Sequence, residues 1–456
     1  MIDNLNNFLH GFTSRGIKWF KGNSVAVKEG KPIKTEQEMS PGRIVAYALQ
    51  NVMVMAISPI AAVLLISQPL GISSKDTVSL ISSTFLICGI GTIIQSIGFK
   101  DIGAKLPLVV VPGGGAVAIF LLIAQKTNLQ TAAGSVLIAA LFDLAILPFF
   151  KRIIFLFSKL VIGTNLVVIS ITLISMFSKM LGGDPGTRNY GNLMNVMLGV
   201  VTIISTLVYA RYLPKKIRQL SVLIGMVTGI IISLFIGNFW QENILSNTFI
   251  IEPRIMPYGF PEFNIIAAFP MVIFSIVLMV EATGQTEAIT EAANLRHDLQ
   301  ISAPKTIRGD VLTSVIGALF GTTLVITSSE NIGIVKATKI TSRHVTALAG
   351  FFLIIIGLFG PAMHVISMIP VEIISATAIL VFSLIGVMGI EMINKYNLNA
   401  NNNFFVVGGG LVFGLVPLFS EGIFRILPFH LNDIFGNGIA ASFVAAVVLN
   451  YIFNFI

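Results

Sequence analysis

The chain has 456 residues, of which 55% are hydrophobic and only 11% are charged, with a net charge of +8. Soluble domains carry about 25% charged residues, so a soluble fold of this length lacks the charge to cover its surface. The composition excludes a disulfide scaffold, a disordered chain and an ordinary cytosolic enzyme. It predicts an all-α polytopic membrane protein, in which the single Cys88 is a small buried hydrophobe.

The N-terminal residues 1–43 are polar and basic and predict a cytoplasmic extension. When this end is placed inside, most of the 29 lysines and arginines fall in cytoplasmic segments. The distribution predicts a multi-pass protein of the plasma (inner) membrane with both termini in the cytoplasm. It also explains the positive charge without a nucleic-acid partner.

Continuous apolar stretches of about 20 residues are long enough to cross the hydrocarbon core. We expect membrane helices at 44–67, 77–98, 131–150, 153–178, 194–212, 220–239, 263–283, 308–322, 343–367, 372–393, 403–420 and 437–455.

Two further apolar stretches are interrupted. In the first, Pro107 and Pro112 bracket a β-branched run, and Gly113 to Gly115 follow before a helix-forming sequence. In the second, a β-prone run at 322–327 meets small polar residues and then a short helical sequence. Each pattern predicts a short strand followed by a half-helix.

Paired interruptions at matching positions in two halves are typical of inverted-repeat secondary transporters, whose substrate site lies near the bilayer midplane. The sequence therefore predicts 14 transmembrane segments arranged as a 7+7 inverted repeat, with segments 3 and 10 interrupted. The alternative interpretation is a pair of re-entrant or surface loops in a generic helical bundle.

Carboxylates inside membrane segments cost about 2.5–3.5 kcal/mol and are functional candidates for that reason. The four acids in this position are Glu281, Glu330, Asp310 and Asp143. Glu281 and Glu330 are the stronger candidates, because each ends or interrupts an apolar run. The alternatives are a solvated helix end for Glu281, a helix-start charge for Glu330, and structural ties for Asp310 and Asp143.

The amides Gln50 and Asn51 lie in the first span, where they either bond a neighbouring helix or line the site. No HExxH, GxSxG or Walker A sequence is present, and the five histidines form no ligand pair. The sequence therefore predicts neither an enzyme nor a metal or cofactor site.

The decapeptide at 330–339, ENIGIVKATK, resembles the signature of the nucleobase–ascorbate transporter family, also called nucleobase:cation symporter-2. Glu330, Asn331, Gly333, Thr338 and Lys339 fit the signature at its fixed spacing. Weaker similarities to the family are spread over most of the chain, at 50–51, 113–118, 281–284, 310–314, 320–322 and 368–370.

This resemblance implies a core domain formed by 44–150 (segments 1–4) and 263–367 (segments 8–11). It implies a gate domain formed by 151–239 (segments 5–7) and 372–456 (segments 12–14). The substrate would lie between the strands of segments 3 and 10, close to segment 8.

Carried over by residue, Glu281 and Glu330 would hydrogen-bond a nucleobase. Ala116 and Ser329 would flank the base through their backbone amides, beside Gly115. The driving ion would be a proton, and homodimers are common in the family.

Residues that would support the site or the proton coupling are Asp310, Asn331, Gln50 and Gln285, together with Glu281. The chain departs from the family at Gln285, where many purine transporters have Asp. It also departs at Ala116, because an aromatic residue is common in segment 3.

The resemblance favours a nucleobase:proton symporter with alternating access. Substrate signals conflict, since Glu330 resembles uracil permeases whereas Glu281, Gly284 and Asp310 resemble xanthine and urate permeases, and purines are slightly favoured. The alternatives are a uracil:proton symporter, an anion transporter of the sulfate-permease type that shares the fold, and a passive channel.

Overall fold

The computed structural model describes residues 41–153, 158–183, 190–214, 221–236, 249–293, 299–328, 334–335, 340–420, 422–424, 435–436 and 438–455. The first half of the chain forms α1 (Pro41–Met55), α2 (Ile57–Ser67), α3 (Ser74–Ile97), β1 (Val110–Pro112), α4 (Gly114–Lys126), α5 (Leu129–Ile153), α6 (Lys159–Ser178), α7 (Leu193–Tyr212) and α8 (Ser221–Ile236).

The second half forms α9 (Ile265–Ala292), α10 (Leu299–Leu319), β2 (Val325–Thr327), α11 (Arg343–Leu358), α12 (Gly360–Ser367), α13 (Val371–Asn394), a 3-10 turn (Ala400–Asn402), α14 (Asn403–Phe419) and α15 (Gly438–Phe455). Seven apolar helices in the described ranges are long enough to cross a membrane, counting α1 and α2 together, and five more are apolar but shorter. The prediction of a helical, multi-pass membrane protein is confirmed.

Several helix boundaries differ from the predicted spans, and prolines explain two of the differences. Pro59 cannot donate to the carbonyl of Met55 and its ring crowds that position, so the span 44–67 is divided into α1 and α2. Pro361 acts likewise at the division between α11 and α12, within the predicted span 343–367. By contrast, α10 continues through Pro304. Its described residues start at Leu299, nine positions before the predicted span 308–322.

The two interrupted stretches meet as a two-stranded antiparallel sheet. Its register pairs Val110 with Thr327, Val111 with Ile326 and Pro112 with Val325. Only three residues of each β-prone run pair, so the strands are shorter than the sequence indicates. Both strands are fully buried, and α4 begins directly after β1.

Two pairs of helices cross at reciprocal glycine contacts. In α3 and α11, a Cβ on Gly89 would lie 2.5 Å from the oxygen of Gly350, and one on Gly350 would lie 2.7 Å from the oxygen of Gly89. The same arrangement joins Gly163 of α6 and Gly389 of α13, at 2.6 Å in both directions. Small residues allow helix backbones to approach this closely, as is common in membrane proteins.

Residues 249–263, which we call the strap, lie across the ends of several helices. Their bonds reach α3, α5, α10 and α11. They include Ile251 N to Leu358 O (3.0 Å), Met256 N to Leu319 O (2.6 Å), Tyr258 Oη to Gly321 O (3.0 Å), Glu262 N to Gln130 O (3.1 Å) and the ion pair Arg254–Asp76 (2.8 Å).

Candidate substrate site

A cavity of about 400 Å³ lies beside the two-stranded sheet. Its walls come from α2, α6, α8, α9 and α13, from the end of β1 with the start of α4, and from the end of β2. The volume falls within the range of small-molecule sites. The sheet and the start of α4 thus line a cavity, which is one of the settings in which irregular backbone is tolerated within a membrane protein.

One face of α9 supplies a stripe of side chains to the cavity. Phe274, Leu278, Glu281 and Gln285 follow one another at helical spacing and all line it. The Gln285 Nε2 donates to Glu281 Oε1 at 2.8 Å. Since α9 continues to Ala292, the interpretation of Glu281 as a helix end is wrong.

The Gln285 amide has a second consequence for the cavity. Its Oε1 is buried and has no hydrogen-bond partner among the described residues. The Nε2 meanwhile holds one oxygen of Glu281, which fixes the orientation of the carboxyl group. The pair therefore places an oriented carboxyl group, which can accept hydrogen bonds, at the cavity wall.

The glycines at the start of α4 form another part of the wall. Gly113, Gly114 and Gly115 line the cavity, and a Cβ on Gly115 would collide with the ring of Phe274. A Cβ on Gly114 would instead lie 3.1 Å from Ile385 Cδ1 of α13. Absence of side chains here brings the helix N-terminus, with its unpaired N–H groups, to the cavity surface.

Ala116 belongs to this first turn of α4. Its side chain is fully buried and lies outside the cavity lining. Its amide is one of the three N–H groups that have no partner within the helix. The expectation that this amide flanks a bound base stays a prediction.

The end of β2 completes the polar side of the cavity through Thr327 and Ser328. Asp310 stands behind this strand and does not line the cavity. It accepts from Thr327 N at 3.0 Å and from Thr327 Oγ1 at 2.9 Å. The Ser328 N–H donates to Val109 O at 2.6 Å, which joins the two interrupted segments at the cavity wall.

The remaining predicted residues lie elsewhere. Gln50 is partly buried in α1 and is not among the lining residues, while its neighbour Asn51 donates to Tyr47 O at 2.9 Å. Asp143 accepts from Ser275 Oγ at 2.6 Å and ties α5 to α9, as its structural interpretation predicts.

Ser329, Glu330 and Asn331 fall outside the described residues, and their roles stay predictions.

Sequence reasoning missed several residues at or near the cavity. Phe274 and Phe382 line it, and Phe382 stacks on Phe177 at 5.7 Å between ring centroids. The helical spacing from Glu281 is a signal that would have found Phe274. Gln95 of α3 contacts Asp310. It is an amide inside an apolar span, and the same feature drew attention to Gln50.

Comparison with known families decides the class of protein. A family model described as "Permease family", for xanthine and uracil permeases, matches residues 42–422. The chain belongs to the nucleobase–ascorbate transporter family.

Relatives in this permease family match along most of their length. A nucleobase transporter (PlUacP) of Paenibacillus larvae is 27% identical over 419 residues, covering 91% of this chain and 96% of the relative. A xanthine permease of Bacillus subtilis is 26% identical over 413 residues, covering 91% and 94%.

The fold of the permease is also that of a wider group of transporters. The transmembrane domain of the cyanobacterial bicarbonate transporter BicA superposes with a TM-score of 0.53 at 16% identity, over 90% of this chain and 97% of that one. At this identity the likeness shows the fold alone.

Proposed function

We propose that this permease imports a nucleobase, with a purine such as xanthine favoured, by proton symport and alternating access. The observation that carries the proposal is the position of Glu281. Its side chain lines a cavity of about 400 Å³ that is also lined by the glycines at the N-terminus of α4. Names of the relatives, a nucleobase transporter and a xanthine permease, support the substrate class.

The chemistry of the cavity suits a flat ring with polar edges. Glu281 accepts hydrogen bonds from ring N–H groups, while the amides of the α4 first turn donate to a carbonyl oxygen. Phe274, Leu278 and Phe382 provide the apolar surface that covers the ring faces. The predicted contact from Glu330 would add an acceptor to the same edge.

Proton coupling is supported by the cost of an unpaired charge inside a membrane protein, which favours the protonated form of a carboxyl group. A protonated carboxyl group offers both a donor and an acceptor, so a base that bonds to both would be bound together with the proton. Glu281 is held by one amide donor and faces the cavity, so proton binding and base binding share one side chain. Sharing of this kind links the two binding equilibria.

Alternating access is supported by the origin of the cavity walls. The cavity is lined by α2, α4 and α9 of the predicted core (44–150 and 263–367), and by α6, α8 and α13 of the predicted gate (151–239 and 372–456). Rocking of one body against the other would open it to either side. The 7+7 repeat, the cytoplasmic termini, the inner-membrane location and a homodimer belong to this proposal.

The test is uptake of radiolabelled xanthine by proteoliposomes with an imposed pH gradient, comparing Glu281→Gln with Glu287→Gln. Glu287 lies on the same helix but is exposed, which makes it a matched control. We expect Glu281→Gln to lose concentrative uptake by about 100-fold, the upper range for a hydrogen bond to a charged group, and Glu287→Gln to keep it. Wild-type accumulation by Glu281→Gln would reject the role of this carboxyl group.

A further inference from the structure

The two strands beside the cavity satisfy their backbone N–H groups in matching ways at one end. Val110 N donates to Thr92 Oγ1 of α3 at 3.0 Å, and Val325 N donates to Ser314 Oγ of α10 at 3.0 Å. The antiparallel register makes Val110 and Val325 equivalent, since each is the first residue of its strand. A hydroxyl from a neighbouring helix therefore accepts the first N–H of each strand.

At the other end the two strands differ. Pro112, the last residue of β1, has no N–H and needs no acceptor. Thr327, the last residue of β2, has an N–H that is buried and must be paired. Cys88 lies one helical turn before Thr92 in α3, and Asp310 lies one helical turn before Ser314 in α10. Of these two residues, only Asp310 accepts a strand N–H, that of Thr327 at 3.0 Å.

Gln95 of α3 reaches across to this carboxyl group. Its Nε2 lies 2.8 Å from Asp310 Oδ1 and 2.7 Å from Thr306 O, which uses both amide hydrogens. Its Oε1 accepts from Ala104 N at 3.3 Å. A side chain that is fully buried and bonded on both sides has a single orientation available to it.

We infer that Gln95 is a positioning residue for the substrate site, acting through Asp310 on the end of β2. Asp310 receives donors from Gln95, Thr327 N and Thr327 Oγ1, and Thr327 and Ser328 form the cavity wall. Without the amide, the carboxyl group loses one of its three donors, the 3.4 Å contact between Gln95 Nε2 and Thr327 Oγ1 is lost as well, and the strand end shifts. The inference rests on the proposed function, which makes this cavity the nucleobase site.

The first test is Gln95→Leu, which keeps the volume and removes the donors. We expect the KM for xanthine uptake to rise by about tenfold or more, the effect of one hydrogen bond to a charged group. We also expect the maximal rate per molecule at the membrane to fall less than the KM rises. The order in which unlabelled uric acid and uracil inhibit xanthine uptake should also change, because the cavity wall formed by the end of β2 changes shape.

Ser96→Ala is the matched control. Ser96 is the next residue of α3 and is fully buried, and its hydroxyl bonds Thr346 Oγ1 of α11 at 2.8 Å and Leu108 O at 3.3 Å instead of reaching β2. We expect this variant to melt at a lower temperature but to keep the wild-type KM. An equal rise in KM for both variants would show a general loss of packing and overturn the inference.

The second test exchanges the two functional groups as Gln95→Glu with Asp310→Asn. Each single change leaves two donors or two acceptors facing each other. In the double variant, the new amide nitrogen at position 310 can donate to the new carboxylate at position 95, while the amide oxygen accepts from Thr327 N. We expect the double variant to have a KM nearer the wild type than either single variant.

The outcomes separate the two proposals. Absence of xanthine uptake by the wild-type chain would contradict the proposed function alone. Wild-type uptake with an unchanged KM in Gln95→Leu, or KM effects that simply add in the double variant, would contradict the positioning role alone.

Discussion

Gly115 offers the sharpest test of the cavity wall. A Cβ at this position would lie 2.8 Å from Cε2 of Phe274 as well as in collision with the ring tip. Phe274 is 2% exposed, so the ring has little room to retreat except toward the cavity. We therefore expect Gly115→Ala to reduce the space for substrate.

The expected magnitude comes from two opposing effects. Overpacking costs about 1–3 kcal/mol, while alanine is favoured over glycine in a helix by about 1 kcal/mol. The free energy of unfolding should thus fall by about 0–2 kcal/mol. One misplaced methyl group in a binding pocket costs about 1–3 kcal/mol, so the KM should rise by about 10–200-fold.

The assay is xanthine uptake normalised to protein at the membrane, together with thermal unfolding in detergent. Gly408→Ala in α14 is the control, because no atom lies within 4 Å of a Cβ there. We expect it to keep the wild-type KM. Gly115→Ala with Phe274→Leu should recover part of the lost affinity, since the smaller side chain removes the collision. A wild-type KM in Gly115→Ala would refute the reasoning.

Two further predictions concern stability. Gly389→Ala places a methyl group 2.6 Å from the oxygen of Gly163 and should lower the free energy of unfolding by about 1–3 kcal/mol, measured by thermal unfolding against Gly408→Ala. Hydrogen bonds from Asn128 and Thr131 lower the pKa of the exposed Glu262 in the strap. The ionised Glu262 therefore stabilises the folded state at a pH above its ordinary pKa of about 4.3, and this stabilisation is lost as the pH falls through the lower pKa of the folded state. The melting temperature of the wild type should therefore exceed that of Glu262→Gln at neutral pH and match it in acid, and a difference that persists in acid would contradict this origin.

Sequence patterns found the position of the interrupted segments, because β-branched runs between proline and glycine have few other structures available. They did not give the strand length, which depends on which residues of two distant runs face each other. Helix ends were least accurate near Pro59, Pro304 and Pro361, where neighbouring helices decide whether the chain bends or continues.

For the site, the rule that acids are rare in membrane segments selected Glu281, and the structure places this side chain and Gln285 on the cavity. The same rule selected Asp310 but did not reveal that its carboxyl group accepts hydrogen bonds from Thr327 of β2. Gln95 escaped notice because its contact with Asp310 spans 215 positions of the chain. Local spacing carries no information about a contact of that length.

The reciprocal glycine crossings have a mechanical consequence. Where Gly89 meets Gly350, and where Gly163 meets Gly389, main chain rests directly on main chain, and no rotamer is available to absorb a displacement. Each pair of helices should therefore be rigid. The surfaces around the cavity instead carry side chains that can change rotamer, such as Ile385 and Met388. We therefore expect each pair of helices to move as a unit and displacement to be taken up at the surfaces around the cavity.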